Sequence, residues 1–209
     1  MNIIRVISAI FIGYLFGCFQ TSYFISKKFG KQDIRDIGSG NAGASNITSE
    51  MGWKFGIITA ILDILKAFLP VKFILILLPN TNQQFELMAI AGMGAILGHI
   101  YPFFINFKGG KGIASYIGTL LAINFKVGLI AIILLCLITI ITDYVAIGSI
   151  FLYLVVPIVI IFSGNYSKIV IICSLILLIV GMIKHVINIQ RIMDGKETGL
   201  RSVIYKNKK

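Results

Sequence analysis

Seven long apolar segments make up most of this 209-residue chain and limit its fold more than any other feature. They cover residues 3–26, 55–78, 85–107, 113–125, 127–142, 145–162 and 169–189. A helix needs about 20 mostly apolar residues to cross a bilayer, and only 13% of the residues are charged, about half of what a soluble domain carries. We therefore predict an all-α integral membrane protein with seven transmembrane helices, in a single domain over residues 1–209.

The positive charges predict the orientation of these segments. With seven spans the termini lie on opposite sides of the membrane, and most of the 19 Lys and Arg residues fall on one side, in residues 27–54, residues 108–112 and the tail after residue 189. The positive-inside rule makes that side cytoplasmic. We expect a multi-pass protein of the cell membrane with its N-terminus outside and its C-terminus inside.

Net charge and cysteine content narrow the partners. The net charge of +11 suits anionic ligands and membrane lipid. Because the basic residues lie in short loops between the apolar segments, nucleic acid is not expected as a partner. The cysteines Cys18, Cys136 and Cys173 each lie inside an apolar segment without metal-type or redox spacing, so neither a metal site nor a disulfide is expected.

The fourth apolar segment is short. Residues 113–125 give about 20 Å of helix at about 1.5 Å per residue, less than the roughly 30 Å of a hydrocarbon core. Polar backbone at membrane depth is tolerated only beside protein or water. We therefore predict that residues 108–112 enter the membrane and line a pocket that is open to the cytoplasm.

The first polar cluster is the loop at residues 38–46, which reads Gly-Ser-Gly-Asn-Ala-Gly-Ala-Ser-Asn. Alternating glycines let backbone N–H groups point into one concavity, and a helix that begins near Asn46 adds its positive end, so both features favour a phosphate. A flexible turn between two spans is the alternative. The candidate contacts are Gly38, Ser39, Gly40, Asn41, Gly43 and Asn46, with Arg35 as a possible pocket charge.

The second polar cluster lies at residues 98–112 and contains two lysines around a glycine pair. This pattern predicts another anion site. Ile113 stands where a Walker A motif requires Ser or Thr, so nucleotide hydrolysis is not indicated. The alternatives are lysines that reach lipid headgroups and a structural buried histidine. The candidate contacts are His99, Lys108, Gly109, Gly110 and Lys111.

The third polar cluster ends the last segment. His185, Asn188 and Arg191 are three residues apart and share one helix face. Histidine suits acid–base chemistry near neutral pH, and Asn188 is placed to orient it or to bind an oxyanion. A basic helix end at the membrane surface is the alternative. In the second segment, Asp63 and Lys66 are either pocket charges or a structural ion pair.

Together these clusters resemble the bacterial acyl-phosphate-dependent glycerol-3-phosphate acyltransferase family, PlsY. Its motif Asp-Ile-Arg, followed by Gly-Ser-Gly-Asn-x-Gly-Ala-Thr-Asn, is met at residues 33–46 with Ser45 in place of Thr, and its Asp-x-x-Lys at residues 63–66. Its Gly-His and Phe-x-Gly-Gly-Lys-Gly motif lies at residues 98–114, and its His-x-x-Asn-Ile-x-Arg with Gly-x-Glu at residues 185–197. The resemblance covers nearly the whole chain.

The resemblance implies seven spans, an external N-terminus and a cytoplasmic active site. It also implies the reaction, in which a fatty acyl group moves from acyl phosphate to the 1-hydroxyl of glycerol 3-phosphate and gives lysophosphatidic acid and phosphate. No cofactor and no obligate protein partner are expected.

The resemblance also assigns roles. Ser39, His185 and Asn188 are expected around the reacting carbonyl and hydroxyl, while Gly109, Gly110 and Lys111 hold a phosphate. Because acyl phosphate is already activated, Ser39 is expected to be a donor rather than a nucleophile. An oxygen of the substrate's own phosphate is the alternative to His185 as proton acceptor. The remaining residues of the third motif are Arg191 and Glu197.

Two positions depart from the family pattern. Ser49 stands where an arginine is usual, and Asp143 replaces the arginine of a later Thr-Arg-Tyr-Val-Ser sequence. Asp143 is expected to face either the pocket or water. Arg35, Lys54 or Lys108 then has to supply the lost charge, or the chain is a paralogue that acts on another polyol phosphate. A transporter of a small anionic metabolite is the third reading, although polar clusters on one side only are unusual for alternating access.

Overall fold

The computed structural model describes residues 2–77 and 83–206, and the regular structure of these residues is helical. The α-helices are α1 (Ile3–Cys18), α2 (Thr21–Ile25), α3 (Ala44–Met51), α4 (Trp53–Leu77), α5 (Gln84–Ile100), α6 (Ile113–Ile123), α7 (Phe125–Thr142), α8 (Val145–Ser163), α9 (Lys168–Met193) and α10 (Leu200–Lys206). A π-helical turn at Ser26–Gly30 and 3-10 turns at Ile34–Asp36 and Phe103–Ile105 join them. The predicted all-α class is confirmed. Residue 78, the predicted end of the second segment, lies outside the described residues.

Five helical stretches in the described part of the chain are long and apolar enough to cross a membrane. They are Ile3–Gly30, Gln84–Ile105, Phe125–Thr142, Val145–Ser163 and Lys168–Met193. The two other predicted spans correspond to α4, which is 25 residues long but contains Asp63, Lys66 and further lysines, and to α6, which has 11 residues. A count of seven spans therefore stays a prediction that requires α4 and α6 to cross as well.

The first apolar segment is not one continuous helix, although the sequence predicts one. Helix α1 ends at Cys18 and α2 begins at Thr21. The carbonyl of Phe19 accepts a hydrogen bond of 2.6 Å from Lys66 Nζ, and Gln20 Nε2 donates to the carbonyl of His99 at 2.8 Å. Backbone groups at membrane depth without a partner are costly, so the bond from Lys66 to the Phe19 carbonyl stabilises the break, while the Gln20 side chain ties it to the end of α5.

The contacts group the chain into two compact units, Met1–Gly128 and Leu129–Lys209. In the first unit, α1 packs directly against α5. A Cβ atom on Gly13 would collide with the carbonyl of Ala91, and one on Gly17 with that of Ala95. The contacts advance together along both helices, so α1 and α5 run parallel, as expected for the first and third of several alternating spans. Paired small residues four apart allow this close approach in membranes. On α5, Gly94 and Gly98 pack in the same way against the backbone of α1, at the carbonyls of Ile10 and Tyr14.

In the second unit, α8 packs against α9 through a glycine and an aromatic ring. The ring of Tyr153, which is completely buried, lies where a Cβ atom on Gly181 would be. The short helix α10 is attached to the segment before α8, because the N–H of Leu200 donates to the carbonyl of Asp143 at 2.7 Å. These contacts bring the end of the chain back to residues 143–145.

Candidate active site

The first loop, residues 33–46, is organised from inside by Asn46, which is 3% exposed. Its Oδ1 accepts a hydrogen bond of 2.9 Å from the N–H of Ser39, and its Nδ2 donates to the carbonyls of Ile34 and Ile37, each at 3.0 Å. Gly38 has a φ of 57°, and a Cβ atom there would collide with Asn46 Oδ1. Asn46 therefore shapes the loop, while the side chain of Ser39 is exposed on its surface.

Several N–H groups of this first loop bond within the loop itself. The N–H of Gly40 donates to the carbonyl of Ile37 at 3.1 Å, and that of Gly43 to the carbonyl of Asn41 at 3.0 Å. With the N–H of Ser39 held by Asn46, three of the donors expected to face a phosphate have partners inside the protein. The first loop is thus a preformed, hydrogen-bonded turn that presents side chains, Ser39 above all.

The second loop, residues 106–112, is folded onto the end of α5. The N–H groups of Gly109 and Gly110 donate to the carbonyls of Ile100 and His99, both at 3.1 Å. A Cβ atom on Gly109 would collide with the carbonyl of His99, and one on Gly110 with His99 Nε2. The glycine pair is therefore required for close packing, which differs from the phosphate nest expected from the sequence. Lys108 is exposed and Lys111 is half-buried.

The two loops meet in the first unit. The carbonyl of Ala42 lies 2.7 Å from the position of a Cβ atom on Gly110. Arg35 Nη1 donates to the carbonyl of Ile105 at 2.8 Å, and the same guanidinium holds both carboxylate oxygens of Asp33, at 3.0 and 2.7 Å. These hydrogen bonds lower the pKa of Asp33 below its usual value and raise that of Arg35. The structure thus brings two of the three polar clusters together.

The hydrogen bonds of Arg35 bear on which cation supplies the charge that is missing at Ser49 and Asp143. Arg35 was one of three candidate cations, and its guanidinium is committed to Asp33 and Ile105. Lys54 and Lys108 are exposed. At the departing position, Ser49 Oγ donates to Glu50 Oε1 at 3.1 Å.

Asp63 and Lys66 form a buried ion pair below the second loop. Lys66 Nζ lies 2.9 Å from Asp63 Oδ1, and the two side chains are 5% and 2% exposed. Thr21 Oγ1 donates to the same carboxylate oxygen at 3.0 Å, and His99 Nδ1 lies 3.8 Å from it. His99 Nδ1 is buried and has no hydrogen-bond partner among the residues that the structure describes. The pair on α4 therefore contacts α2 through Thr21 and approaches α5 at His99, which fits the structural reading of the two charges.

The third cluster lies in the second unit, on α9. His185 is 1% exposed and its Nδ1 is 2.8 Å from the carbonyl of Gly181. A carbonyl only accepts hydrogen bonds, so in the neutral ring Nδ1 carries the hydrogen and Nε2 the lone pair. The ring centroid lies 6.0 Å from that of Tyr153. This geometry leaves Nε2 as the basic nitrogen of His185.

Asn188, one helical turn further on, is 3% exposed. Its Nδ2 donates to Glu197 Oε1 at 2.6 Å. A turn after α9, in which the N–H groups of Lys196 and Glu197 donate to the carbonyl of Arg191, brings Glu197 back towards the helix. The shared face of His185 and Asn188 and the link to Glu197 thus agree with the spacing of the third motif.

Asp143, which the sequence places at the pocket or in water, contacts the C-terminal tail. Its Oδ1 accepts a hydrogen bond of 2.8 Å from the N–H of Arg201, its carbonyl accepts one from Leu200, and its Oδ2 lies where a Cβ atom on Gly199 would be. Asp143 has a φ of 72°, in the left-handed region where Asp is among the tolerated residues. Sequence reasoning missed this contact, because the two partners are far apart in the chain and α10 is only seven residues long.

Comparison with known proteins gives one consistent result. A family model described as glycerol-3-phosphate acyltransferase matches residues 7–195. Glycerol-3-phosphate acyltransferase 1 of Oceanobacillus iheyensis is 39% identical over 199 residues, which cover 93% of this chain and 95% of that protein. The glycerol-3-phosphate acyltransferase of Endomicrobium trichonymphae is 37% identical, over 95% of this chain and 96% of its own.

A solved structure agrees with these relatives. The crystal structure of PlsY (YgiH), an integral membrane glycerol 3-phosphate acyltransferase, in its glycerol 3-phosphate form has a TM-score of 0.83 and 28% identity, covering 93% of this chain and 95% of that one. Its lysophosphatidic acid form has a TM-score of 0.81. Fold and sequence together define a multi-pass membrane acyltransferase. The chain belongs to the glycerol-3-phosphate acyltransferase family.

Proposed function

We propose that this protein transfers a fatty acyl group from acyl phosphate to the 1-hydroxyl of glycerol 3-phosphate and releases lysophosphatidic acid and inorganic phosphate. The observation that carries the proposal is the contact between the two loops, where Ala42 meets Gly110 and Arg35 binds Ile105. This contact joins the first loop, which presents Ser39, to the second loop, which bears Lys108 and Lys111. Two phosphorylated substrates require such a concentration of cations.

The proposed chemistry is a direct transfer. The 1-hydroxyl oxygen attacks the acyl carbonyl carbon, the bond from that carbon to the phosphate oxygen breaks, and phosphate leaves with the bonding electrons. The hydroxyl proton passes to His185 Nε2 or to a phosphate oxygen of the substrate. Ser39 donates to the carbonyl oxygen as negative charge develops there, which is the largest contribution in many acyl transfers. Asn188 orients the hydroxyl.

The other residues of the three motifs bind or shape the site. We assign phosphate binding to Lys108 and Lys111, aided by the N-terminus of α6. The contacts of Asn46, Gly109, Gly110 and His99 support a role in shaping the loops. Arg191 and Glu197 support Asn188 through the turn after α9. The remaining assigned residues are Gly38, Gly40, Asn41 and Gly43, which form the turn that presents Ser39, and Arg35, Asp63 and Lys66, which hold the loops on the helices.

The proposed orientation places the loops and the C-terminus in the cytoplasm and the N-terminus outside, with seven spans and membrane lipid around them. The parallel packing of α1 and α5 supports alternating spans, and the lysines of the loops support the cytoplasmic side. No protein partner is needed for the proposed transfer.

A second candidate function rests on Ser49. Where the family usually has an arginine, the Ser49 hydroxyl is bonded to Glu50, and Arg35 is committed to Asp33 and Ile105. We infer that the loss of this cation changes how the site selects its acceptor among polyol phosphates. This alternative keeps the acyl phosphate donor and the direct transfer.

The test uses the purified protein in lipid nanodiscs with palmitoyl phosphate, with and without glycerol 3-phosphate. We expect phosphate release that requires glycerol 3-phosphate and is matched by lysophosphatidic acid. Ser39→Ala should lower kcat by about 100-fold, the loss typical of removing one oxyanion donor. The control is Ser163→Ala, an exposed serine outside the three polar clusters, which should behave as wild type.

Three outcomes separate the readings. Acylated protein that accumulates without acceptor would overturn direct transfer. Turnover with another polyol phosphate, and not with glycerol 3-phosphate, would establish the second candidate. Absence of turnover with every acceptor would overturn the acyltransferase proposal for this chain.

A further inference from the structure

The C-terminal tail is anchored at one residue. Asp143 binds three consecutive tail residues, because its carbonyl accepts the N–H of Leu200 at 2.7 Å, its Oδ1 accepts the N–H of Arg201 at 2.8 Å and its Oδ2 abuts Gly199. The N–H groups of a first helical turn have no partner inside their own helix. Asp143 supplies that partner from a distant part of the chain, so it fixes where α10 begins.

The anchored tail also carries Glu197. Only one residue, Thr198, separates Glu197 from Gly199, and Glu197 Oε1 accepts the 2.6 Å hydrogen bond from Asn188 Nδ2. At the other end of this short segment, the N–H of Glu197 donates to the carbonyl of Arg191. Glu197 is therefore held from both sides, by the end of α9 and by Asp143.

We propose that Asp143 is a positioning residue for the acyl transfer: by anchoring the tail, it holds Glu197 against Asn188 and so fixes the amide that orients the substrate hydroxyl. The inference rests on the proposed function, since it assigns Asn188 to the reacting hydroxyl. It also explains how an acid is accommodated where an arginine is usual. The carboxylate is used within the protein and is not offered to a phosphate.

The backbone bonds, rather than the ion pair, carry this anchor. Arg201 Nε lies 4.0 Å from Asp143 Oδ1 and the arginine side chain is 67% exposed. Ion pairs of this kind contribute little. An asparagine at position 143 keeps the Oδ1 acceptor and loses the charge, so it should keep the anchor.

The experiment compares Asp143→Ala, Asp143→Asn and wild type as full-length proteins in nanodiscs. One readout is the rate at which trypsin releases tail peptides after Lys196 and Arg201, followed by mass spectrometry. The other is kcat and KM for both substrates. We expect Asp143→Ala to release the tail faster and to lower kcat by about 10- to 100-fold with unchanged KM, because small misplacements of a reacting group have effects of that size. Asp143→Asn should match wild type in both readouts.

Two further variants keep the test decisive. Gly199→Ala disturbs the same contact from the tail side and should show the same faster tail release and lower kcat as Asp143→Ala. It replaces Asp143→Ala in the test if that variant does not fold. Asp194→Ala removes an acid that is 62% exposed in the same region and should change neither kcat nor the rate of cleavage after Arg201; cleavage after Lys196 is left out of this comparison, because Asp194 pairs with Lys196 itself.

The proposal fails if Asp143→Ala releases the tail at the wild-type rate, or releases it faster with kcat unchanged. It also fails if Asp143→Asn loses as much activity as Asp143→Ala, since the charge itself would then act. Wild-type protein without transfer to any acceptor would overturn the proposed function and the catalytic part of this proposal. The trypsin comparison would still decide whether Asp143 anchors the tail.

Discussion

The two glycine loops of the first unit and the polar face of α9 in the second unit are held by different kinds of contact. In the second loop, the backbone at Gly109 packs on the carbonyl of His99, and that at Gly110 packs on the His99 ring and the carbonyl of Ala42, so no space remains for a Cβ atom. On α9, the polar side chains form hydrogen bonds whose partner side chains can adjust their position. The bond from Asn188 to Glu197 is an example. Close packing is the dominant constraint at the glycine pair of the second loop, and individual side-chain hydrogen bonds dominate on the polar face of α9.

This difference predicts how each region responds to substitution. An added methyl group in a close-packed backbone contact forces the chain to move, and the cost rises steeply with the overlap. A changed hydrogen-bond partner on a helix costs only the net strength of one bond. Small changes should therefore be severe in the loops and mild on α9.

The largest expected effect comes from the charge pair below the loops. Asp63→Asn leaves the Lys66 ammonium buried without its counter-charge, which should lower the free energy of unfolding by about 3–5 kcal/mol. The thermal midpoint in detergent measures this loss. The control is Asp194→Asn. Asp194 Oδ2 lies 3.9 Å from Lys196 Nζ in an exposed ion pair, so this change should leave the midpoint unchanged.

A double variant sharpens this first prediction. Asp63→Asn combined with Lys66→Met removes both charges and should recover part of the lost stability, since an apolar replacement of a buried pair is often tolerated. No recovery would mean that the hydrogen bond from Lys66 to Phe19, rather than the charge pair, stabilises the break after α1.

The second prediction concerns Gly110→Ala. Its Cβ atom would collide with His99 and press on the carbonyl of Ala42, so it should cost about 1–3 kcal/mol and abolish most activity by separating the loops. Stability and kcat/KM measure the two effects. Gly30→Ala is the matched control, because its Cβ atom would meet only the flexible side chain of Met51, at 3.4 Å. Equal behaviour of the two variants would contradict the close-packing account.

The smallest expected effect is that of Glu197→Gln. The Gln side chain still accepts from Asn188 Nδ2, but the bond loses its charge assistance, which is worth about 1 kcal/mol. We expect about a fivefold lower kcat and a loss of stability of no more than about 1 kcal/mol. A loss as large as that of Ser39→Ala would show that the α9 face tolerates no more change than the loops do.

The sequence predicts the parts of this fold that depend on local pattern. Apolar length predicts the helices, and the spacing of His185 and Asn188 predicts their shared face. The three motifs predict the family through residues that the chain retains. The three-residue spacing of Asp63 and Lys66 allowed an ion pair, and the structure contains one.

Other features depend on contacts between distant residues, so no local pattern reveals them. The break after Cys18 is stabilised by Lys66, which belongs to another helix and donates to the carbonyl of Phe19. The glycine pair at residues 109–110 looks like a phosphate nest, yet its N–H groups bind the end of α5. Asp143 and its partners at residues 199–201 are joined only once α8 and the tail have folded.

The glycine face shared by α1 and α5 has a consequence for biogenesis. Gly13 meets Ala91, and at about 5–20 residues per second a ribosome needs roughly 4–15 s to synthesise the chain between them. During that interval α1 has been synthesised while its parallel partner does not yet exist. A defect in this glycine face would therefore act before any substrate is bound, and it would appear as a low yield of protein rather than as slow turnover.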